Sequence, residues 1–168
     1  MMTVSRSILF LALAGVASAA AAADAESAVP EPAAFVKMAG QAGLAEIEAG
    51  KMALSKSQDP QIRSFAQRMV ADHGKANAEL AGLAKAKGIH EPERLDSDHR
   101  AMLDSLQAKS GPAFDAAYAQ HMKMDHTKAV ALFEGASRSE DADLAGFAQK
   151  TLSTLQEHQQ LAARLPGP

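Results

Sequence analysis

The strongest constraint on the fold is a stripe of apolar residues between positions 62 and 83. Its members recur at steps of three and four residues, which places them on one face of an α-helix: Ile62, Phe65, Met69, Ala76, Leu80 and Leu83. His73 falls on the same face, where a further apolar residue would continue the pattern. We therefore expect this helix to pack against other helices through its stripe and to bury His73 there.

Stripes of the same period predict four long helices and one short helix, and no stretch has the alternating pattern of a strand. The first three long helices are predicted at about 33–56, 60–87 and 111–134, and the short helix at about 97–109. The fourth follows a capping region at 137–139 and carries apolar residues from 144 to 165. We predict an all-α four-helix bundle, with the short helix as an extra element in the connection between the second and third bundle helices.

Proline and glycine mark the ends of these helices. Asp59-Pro60 and Gly111-Pro112 are typical helix starts, and Gly88 is a typical stop. The short links make the first and second helices antiparallel, and likewise the third and fourth. The connection from Gly88 to Gly111 can climb the whole bundle, since extended chain covers about 3.3 Å per residue. It can equally pack across one end, and the sequence leaves both alternatives open.

Three glycines lie within the first predicted helix, at Gly40, Gly43 and Gly50. Glycine lowers helix propensity, so its presence there needs another reason. We expect these positions to let another helix approach closely.

The first 23 residues have the features of a secretory signal peptide. Arg6 gives a positive start, residues 8–16 are apolar, and Ala17-Ser18-Ala19 fits a signal-peptidase site, so that cleavage falls between residues 19 and 23. Residues 24–32 form a lead-in, and 33–165 form the bundle domain. We expect the mature protein in a bacterial periplasm. The chain has no cysteine, which excludes disulfides and thiolate metal sites.

The predicted mature chain is acidic, with a net charge near −4 once Arg6 is removed from the 17 basic residues that face 20 acidic ones. This charge gives no reason to expect a nucleic-acid partner. A single tyrosine and no tryptophan also argue against base stacking. Beyond the signal no stretch reaches the roughly 20 apolar residues of a membrane span. The oligomeric state stays open, a dimer included.

Four titratable residues lie on the four long stripes, one on each helix: Glu46, His73, His126 and His158. At about 1.5 Å of rise per residue, all four fall near the middle of the bundle, within about 10 Å of height. Three imidazoles and one carboxylate suit a divalent transition metal, namely Zn, Cu, Fe or Mn. Since imidazole must be neutral to ligate, we expect binding to fail below about pH 6.

The alternative is a hydrogen-bonded polar network that only fixes the register of the helices. Asp72 and Asp125 each precede one of the histidines in the repeated pattern Met-x-x-Asp-His-x-Lys. They point about 100° away from those histidines, so they are solvated charges or at most orient a ligand.

No motif predicts an enzyme. Di-iron bundles carry Glu-x-x-His on two core helices, whereas Val70, Lys123 and Leu155 stand three residues before the three histidines. No phosphate-binding loop, nucleophile motif or His-Glu-x-x-His pattern occurs. We therefore favour a non-enzymatic role.

A smaller set on the third helix combines His121, Met122, Met124 and Asp125. Methionine and histidine can bind copper in an exported protein. Filling the edge of the core is the simpler interpretation of this set.

Several segments together are distinctive: residues 45–51 (AEIEAGK), 65–73 (FAQRMVADH), 129–134 (AVALFE) and 147–152 (FAQKTL), followed by His158. Together they resemble a bacterial family of exported proteins catalogued as domain of unknown function 4142. The resemblance implies a ferritin-like four-helix fold and an exported location, and little about activity.

Two hypotheses on function follow. In the first, the exported bundle is non-enzymatic and binds a divalent metal at the mid-core His/Glu site. In the second, it is a structural or protein-interaction module whose buried histidines only fix helix register.

Overall fold

The computed structural model describes residues 28–166, which are helical apart from short links. The helices are α1 (Pro32–Lys56), α2 (Pro60–Lys87), α3 (Ser97–Gln107), α4 (Gly111–Ala136) and α5 (Ala142–Ala162). No strand occurs within 28–166, so the all-α prediction is confirmed. The predicted signal peptide, residues 1–23, lies outside the described residues. Within them, no helix has the length and apolar character needed to cross a membrane.

Aspartate side chains cap three of the helix starts. Asp59 accepts hydrogen bonds from the backbone of Gln61 and Ile62 at the start of α2, and Asp96 begins α3 in the same way. The cap of α5 is Asp141, whose side chain accepts hydrogen bonds from two backbone N–H groups in the first turn of the helix. The predicted capping region at 137–139 is therefore wrong by two residues. Asp141 satisfies those N–H groups and adds a negative charge at the positive end of the helix.

Neighbouring helices run antiparallel. α1 packs on α2 and α4, and α5 packs on α4 and α2, so the four long helices make a closed ring of contacts. Along α1, Gly40 lies near Leu80 whereas Gly50 lies near Val70, so α1 and α2 run in opposite directions. The aromatic and imidazole side chains that contact each other between α4 and α5 show that these two helices also run in opposite directions.

The connection between α2 and α4 runs the length of α1. α2 and α4 lie diagonally across the ring and point the same way, so the chain has to return before α4 begins. Pro92 lies close to Gly40, near the start of α1. At the other end, Nζ of Lys56 donates to the carbonyl of Lys109 at 3.0 Å. Of the two alternatives left open by the sequence, the structure has the crossover.

The apolar core is divided into two clusters. One contains Ile62, Phe65, Phe114 and Tyr118, and the other contains the rings of three phenylalanines, Phe35, Phe133 and Phe147. On α2, α4 and α5 a histidine stands between the residues that belong to the first cluster and those that belong to the second. The three histidines therefore form a polar layer between the two apolar halves of the core.

Gly50 is the glycine whose replacement should destabilise the protein most clearly. A Cβ at this position would lie 2.9 Å from Cγ2 of Val70 and 3.1 Å from the backbone oxygen of Ala66. The backbone oxygen cannot move without the helix, so Gly50→Ala should lower the free energy of unfolding by about 1–3 kcal/mol. Gly82 is the matched control, because a Cβ there meets nothing within 4 Å among the described residues. Gly82→Ala should raise the free energy of unfolding by about 0.5–1 kcal/mol. Urea unfolding measures both variants. Equal effects of the two substitutions would contradict the close approach of α1 and α2.

Candidate metal centre

The four residues selected from the stripes are all buried. Glu46 is 5% exposed, His73 9%, and His126 and His158 1% each. They come from α1, α2, α4 and α5, one from each helix of the ring. The position of the four residues follows from the phase of each stripe, since a residue on the apolar face is buried with its neighbours.

The three imidazole rings form a nearly equilateral triangle. Their centroids lie 5.7 Å apart for His73–His126, 5.5 Å for His73–His158 and 5.4 Å for His126–His158. One ring nitrogen from each lies within 4.8 Å of the other two. Tetrahedral zinc with bonds of about 2.1 Å would hold its nitrogen ligands about 3.4 Å apart. A small inward movement of the side chains would therefore bring all three onto one ion.

Two hydrogen bonds determine which nitrogens carry lone pairs. Nδ1 of His126 donates to the carbonyl of Met122 at 2.9 Å, and Nε2 of His158 donates to Oδ2 of Asp72 at 2.9 Å. In a neutral imidazole the other nitrogen is then an acceptor. Those other nitrogens, together with Nε2 of His73, are buried and have no hydrogen-bond partner among the described residues. His126 and His158 therefore present free lone pairs, and Nε2 of His73 is a third buried ring nitrogen without a partner among the described residues.

Asp72 contacts one of the three histidines, as one of the two alternatives from the sequence allows, but that histidine is not the adjacent one. It lies about 100° around α2 from His73 and faces the neighbouring helix α5, where it accepts a hydrogen bond from His158. Carboxylates in this position fix the tautomer of a metal-binding histidine and make it more basic. Asp125, its counterpart in the repeat, instead lies 3.9 Å from Lys128. The sequence repeat is therefore not a repeat of contacts.

Burial keeps the three histidines neutral. Loss of hydration lowers the pKa of His73 from 6.5 to about 3, and the neighbouring histidines add to the effect. Loss of hydration likewise lowers the pKa of His126 to about 4. The pKa of His158 is also lowered by burial, although Asp72 opposes the change. At neutral pH a metal ion would meet three unprotonated ligands.

Glu46 stands apart from the triangle. Its Oε1 lies 3.8 Å from Nδ1 of His126, the nitrogen that already donates to Met122, and its Oε2 has no partner among the described residues. The cluster of groups close enough to share an ion consists of the three histidines alone, within residues 28–166. Burial, with the charge of Asp125, raises the pKa of Glu46 well above its usual value. Ligation by Glu46 stays a prediction, and it requires a movement of the side chain.

A cleft between α2 and α5 connects the triangle with solvent. It has a volume of about 110 Å³ and is lined by His73, His158 and Asp72. Further out, Nζ of Lys150 bonds both carboxylate oxygens of Glu79 at 2.7 and 2.8 Å.

Tyr118 is a buried polar residue that the sequence did not single out. It is fully buried, and its hydroxyl has no partner among the described residues. Burial raises the pKa of Tyr118, and the nearby Glu46 raises it further. Its place two turns before His126 on α4 was the available signal, but a lone tyrosine on an apolar face is ordinarily core.

These features define an all-helical protein with a buried triangle of histidines between two apolar clusters. The chain belongs to the family described as Domain of unknown function (DUF4142), whose model matches residues 16–165. The resemblance noted from the sequence is thereby confirmed. No curated protein and no solved structure matches the chain. Because the family description assigns no activity, the function has to be argued from the histidine triangle.

Proposed function

We propose that the protein is an exported, ferritin-like four-helix bundle that binds one divalent transition metal and has no enzymatic activity. His73, His126 and His158 are the ligands, and Glu46 completes the set once its side chain turns toward the ion. Three neutral imidazoles suit zinc, copper or ferrous iron better than manganese, which prefers oxygen ligands.

The observation that carries this proposal is the set of three unpaired ring nitrogens. A network that served only to fix helix register would pair its buried polar atoms with one another, as native cores do. Here His126 and His158 use their outer nitrogens for hydrogen bonds and leave the inner ones free. That division of roles is typical of a metal-binding histidine.

Two further features support the fold and the location. A ring of four antiparallel helices with one long crossover is the topology of ferritin-like folds. The features of a signal peptide in residues 1–23 support export, and the absence of cysteine fits a site built from nitrogen and oxygen ligands.

Cobalt titration tests the proposal directly. Co²⁺ bound to three imidazoles absorbs visible light far more strongly than the hexa-aqua ion, so the metal-free protein should develop a visible band that saturates at one ion per chain. His73→Ala and His126→Ala should lose the band. His90→Ala is the control and should keep it, because His90 is exposed on the connection.

A second measurement identifies the natural metal. Protein purified without an affinity tag from its native compartment should contain about one equivalent of zinc, copper or iron by elemental analysis. If neither Co²⁺ nor Zn²⁺, Cu²⁺ or Fe²⁺ binds the purified protein, the metal proposal fails and the register hypothesis stands.

A further inference from the structure

A second cleft between α2 and α5 lies at the end of the bundle where α2 begins and α5 ends. It has a volume of about 390 Å³, and the apolar side chains of Phe65, Leu161 and Leu165 line it. These three residues belong to the first apolar cluster or pack against it. Among the described residues that line this end cleft none is acidic, although the chain has 20 acidic residues against 17 basic ones. The end cleft therefore has an apolar floor and no negative charge of its own.

Two arginines line the end cleft, Arg68 from α2 and Arg164 from the turn that follows α5. Their relative height follows from the hydrogen bond between Asp72 and His158, which fixes the register of the two antiparallel helices. Arg68 lies four residues from Asp72 and Arg164 six residues from His158, both toward the same end of the bundle. At about 1.5 Å of rise per residue, the two arginines differ in height by about 3 Å. Both guanidinium groups can therefore reach one anion in the end cleft.

Neither guanidinium group makes a strong contact with the protein itself. Arg164 is exposed, and its guanidinium forms no hydrogen bond or ion pair with the described residues. Arg68 has the carboxylate of Glu157 at 3.7 Å, but the two side chains are 48% and 68% exposed, and ion pairs of this kind contribute little. By contrast Arg63, also on α2, donates to the carbonyl of Ser57 at 3.2 Å. The two arginines of the end cleft are therefore available to an external anion.

We propose that the end cleft binds a small carboxylate with a hydrocarbon body and holds its charged group between Arg68 and Arg164. Guanidinium groups bind carboxylates through paired hydrogen bonds, which gives the charged end a defined place. The hydrocarbon body lies on the apolar floor, where its removal from water stabilises the complex. A volume of about 390 Å³ is within the range of small-molecule sites. This site is separate from the histidine triangle and needs no metal there.

Calorimetric titration of the metal-free protein with octanoate, below its micelle-forming concentration, tests this proposal. Arg68→Gln and Arg164→Gln should each lower the affinity at least about tenfold, because each removes a charged hydrogen-bond donor. Glu157→Gln should raise the affinity, since it removes the carboxylate that competes for Arg68. Arg100→Gln is the matched control, because Arg100 is exposed on α3 and does not line the end cleft. From butanoate to octanoate the affinity should rise about fourfold for each methylene group that is buried.

Two further probes separate the charge of the ligand from its hydrocarbon body. Octanol lacks the charge and inorganic phosphate lacks the body, so both should bind much more weakly than octanoate. If either binds as tightly as octanoate, or if both arginine variants bind octanoate as wild type does, the proposal is overturned. His73→Ala should bind octanoate as wild type does, whatever the cobalt titration shows. Loss of octanoate binding in His73→Ala would also overturn the proposal, because the carboxylate would then bind at the histidine triangle.

Discussion

In metal-free protein, His73 and His126 together should lower the free energy of unfolding by about 2.7 kcal/mol for each pH unit between about pH 6 and about pH 5. In the unfolded chain the histidines titrate near 6.5, whereas in the folded protein burial lowers the pKa of His73 to about 3 and of His126 to about 4. Between those values the unfolded state binds protons that the folded state cannot. The loss of unfolding free energy begins near pH 6.5 and continues until the pH reaches the folded-state pKa of each histidine, about 4 for His126 and about 3 for His73.

Glu46 acts in the opposite direction. Its folded-state pKa is raised by burial and by Asp125, so above about pH 4.5 the folded protein keeps a proton that the unfolded chain releases. Glu46 therefore offsets part of this slope, whereas His158, whose pKa is also lowered by burial, adds to it. Urea unfolding in a chelating buffer at several pH values measures it.

His126→Leu should reduce this slope by about 1.4 kcal/mol per pH unit, because one of the three histidines is then absent. Replacing a buried polar group by an apolar one of similar volume should change stability little at neutral pH. His90→Ala should keep the wild-type slope. An unchanged slope in His126→Leu would mean that His126 is not buried as a neutral base.

Zinc should raise the melting temperature of the wild-type protein by about 8 °C at a hundredfold excess over its dissociation constant. A ligand that binds only the folded state adds RT ln(1 + [L]/Kd), about 2.7 kcal/mol at that excess. For a domain of this size each kcal/mol corresponds to about 3 °C. His73→Ala and His126→Ala should not respond to zinc, and His90→Ala should respond as wild type does. Scanning calorimetry or thermal fluorescence measures the shift.

The register hypothesis predicts the reverse pattern. Zinc, copper, manganese and ferrous iron would all leave the melting temperature of the wild type unchanged, and His73→Ala would lower the melting temperature of the metal-free protein.

The buried environment of the histidines also changes the pH limit that we expect for metal binding. From its ordinary pKa, histidine would stop binding metal below about pH 6. With the pKa values of His73 and His126 lowered to about 3 and about 4, acid should end binding by unfolding the protein rather than by protonating the ligands.

Much of this architecture could be predicted from the sequence because it depends on local signals. α1 and α2 begin and end within a residue of their predicted bounds, since Pro32, Asp59-Pro60 and Gly88 act on the backbone beside them. The burial of the four titratable residues follows from stripe phase, which needs no knowledge of the neighbouring helix.

The unpredicted features depend on how the helices are arranged. Asp72 bonds His158 because α2 happens to lie beside α5, and an isolated stripe does not identify its neighbour. Glu46 falls beside His126 instead of among the three rings because of the rotation of α1, and a movement of a few ångströms would alter that. The path of the crossover depends on contacts such as the one from Gln41 to the carbonyl of Arg94.

The crossover also bears on how the protein folds. It divides the chain into two helical hairpins, α1–α2 and α4–α5, each closed by a short link and thus able to form through contacts that are local in sequence. The hydrogen bond between Asp72 and His158 joins residues 86 positions apart. Contacts of that separation incur the entropy of closing a long loop, so we expect them to form late. The histidine triangle draws one ring from the first hairpin and two from the second, and neither hairpin alone can form it.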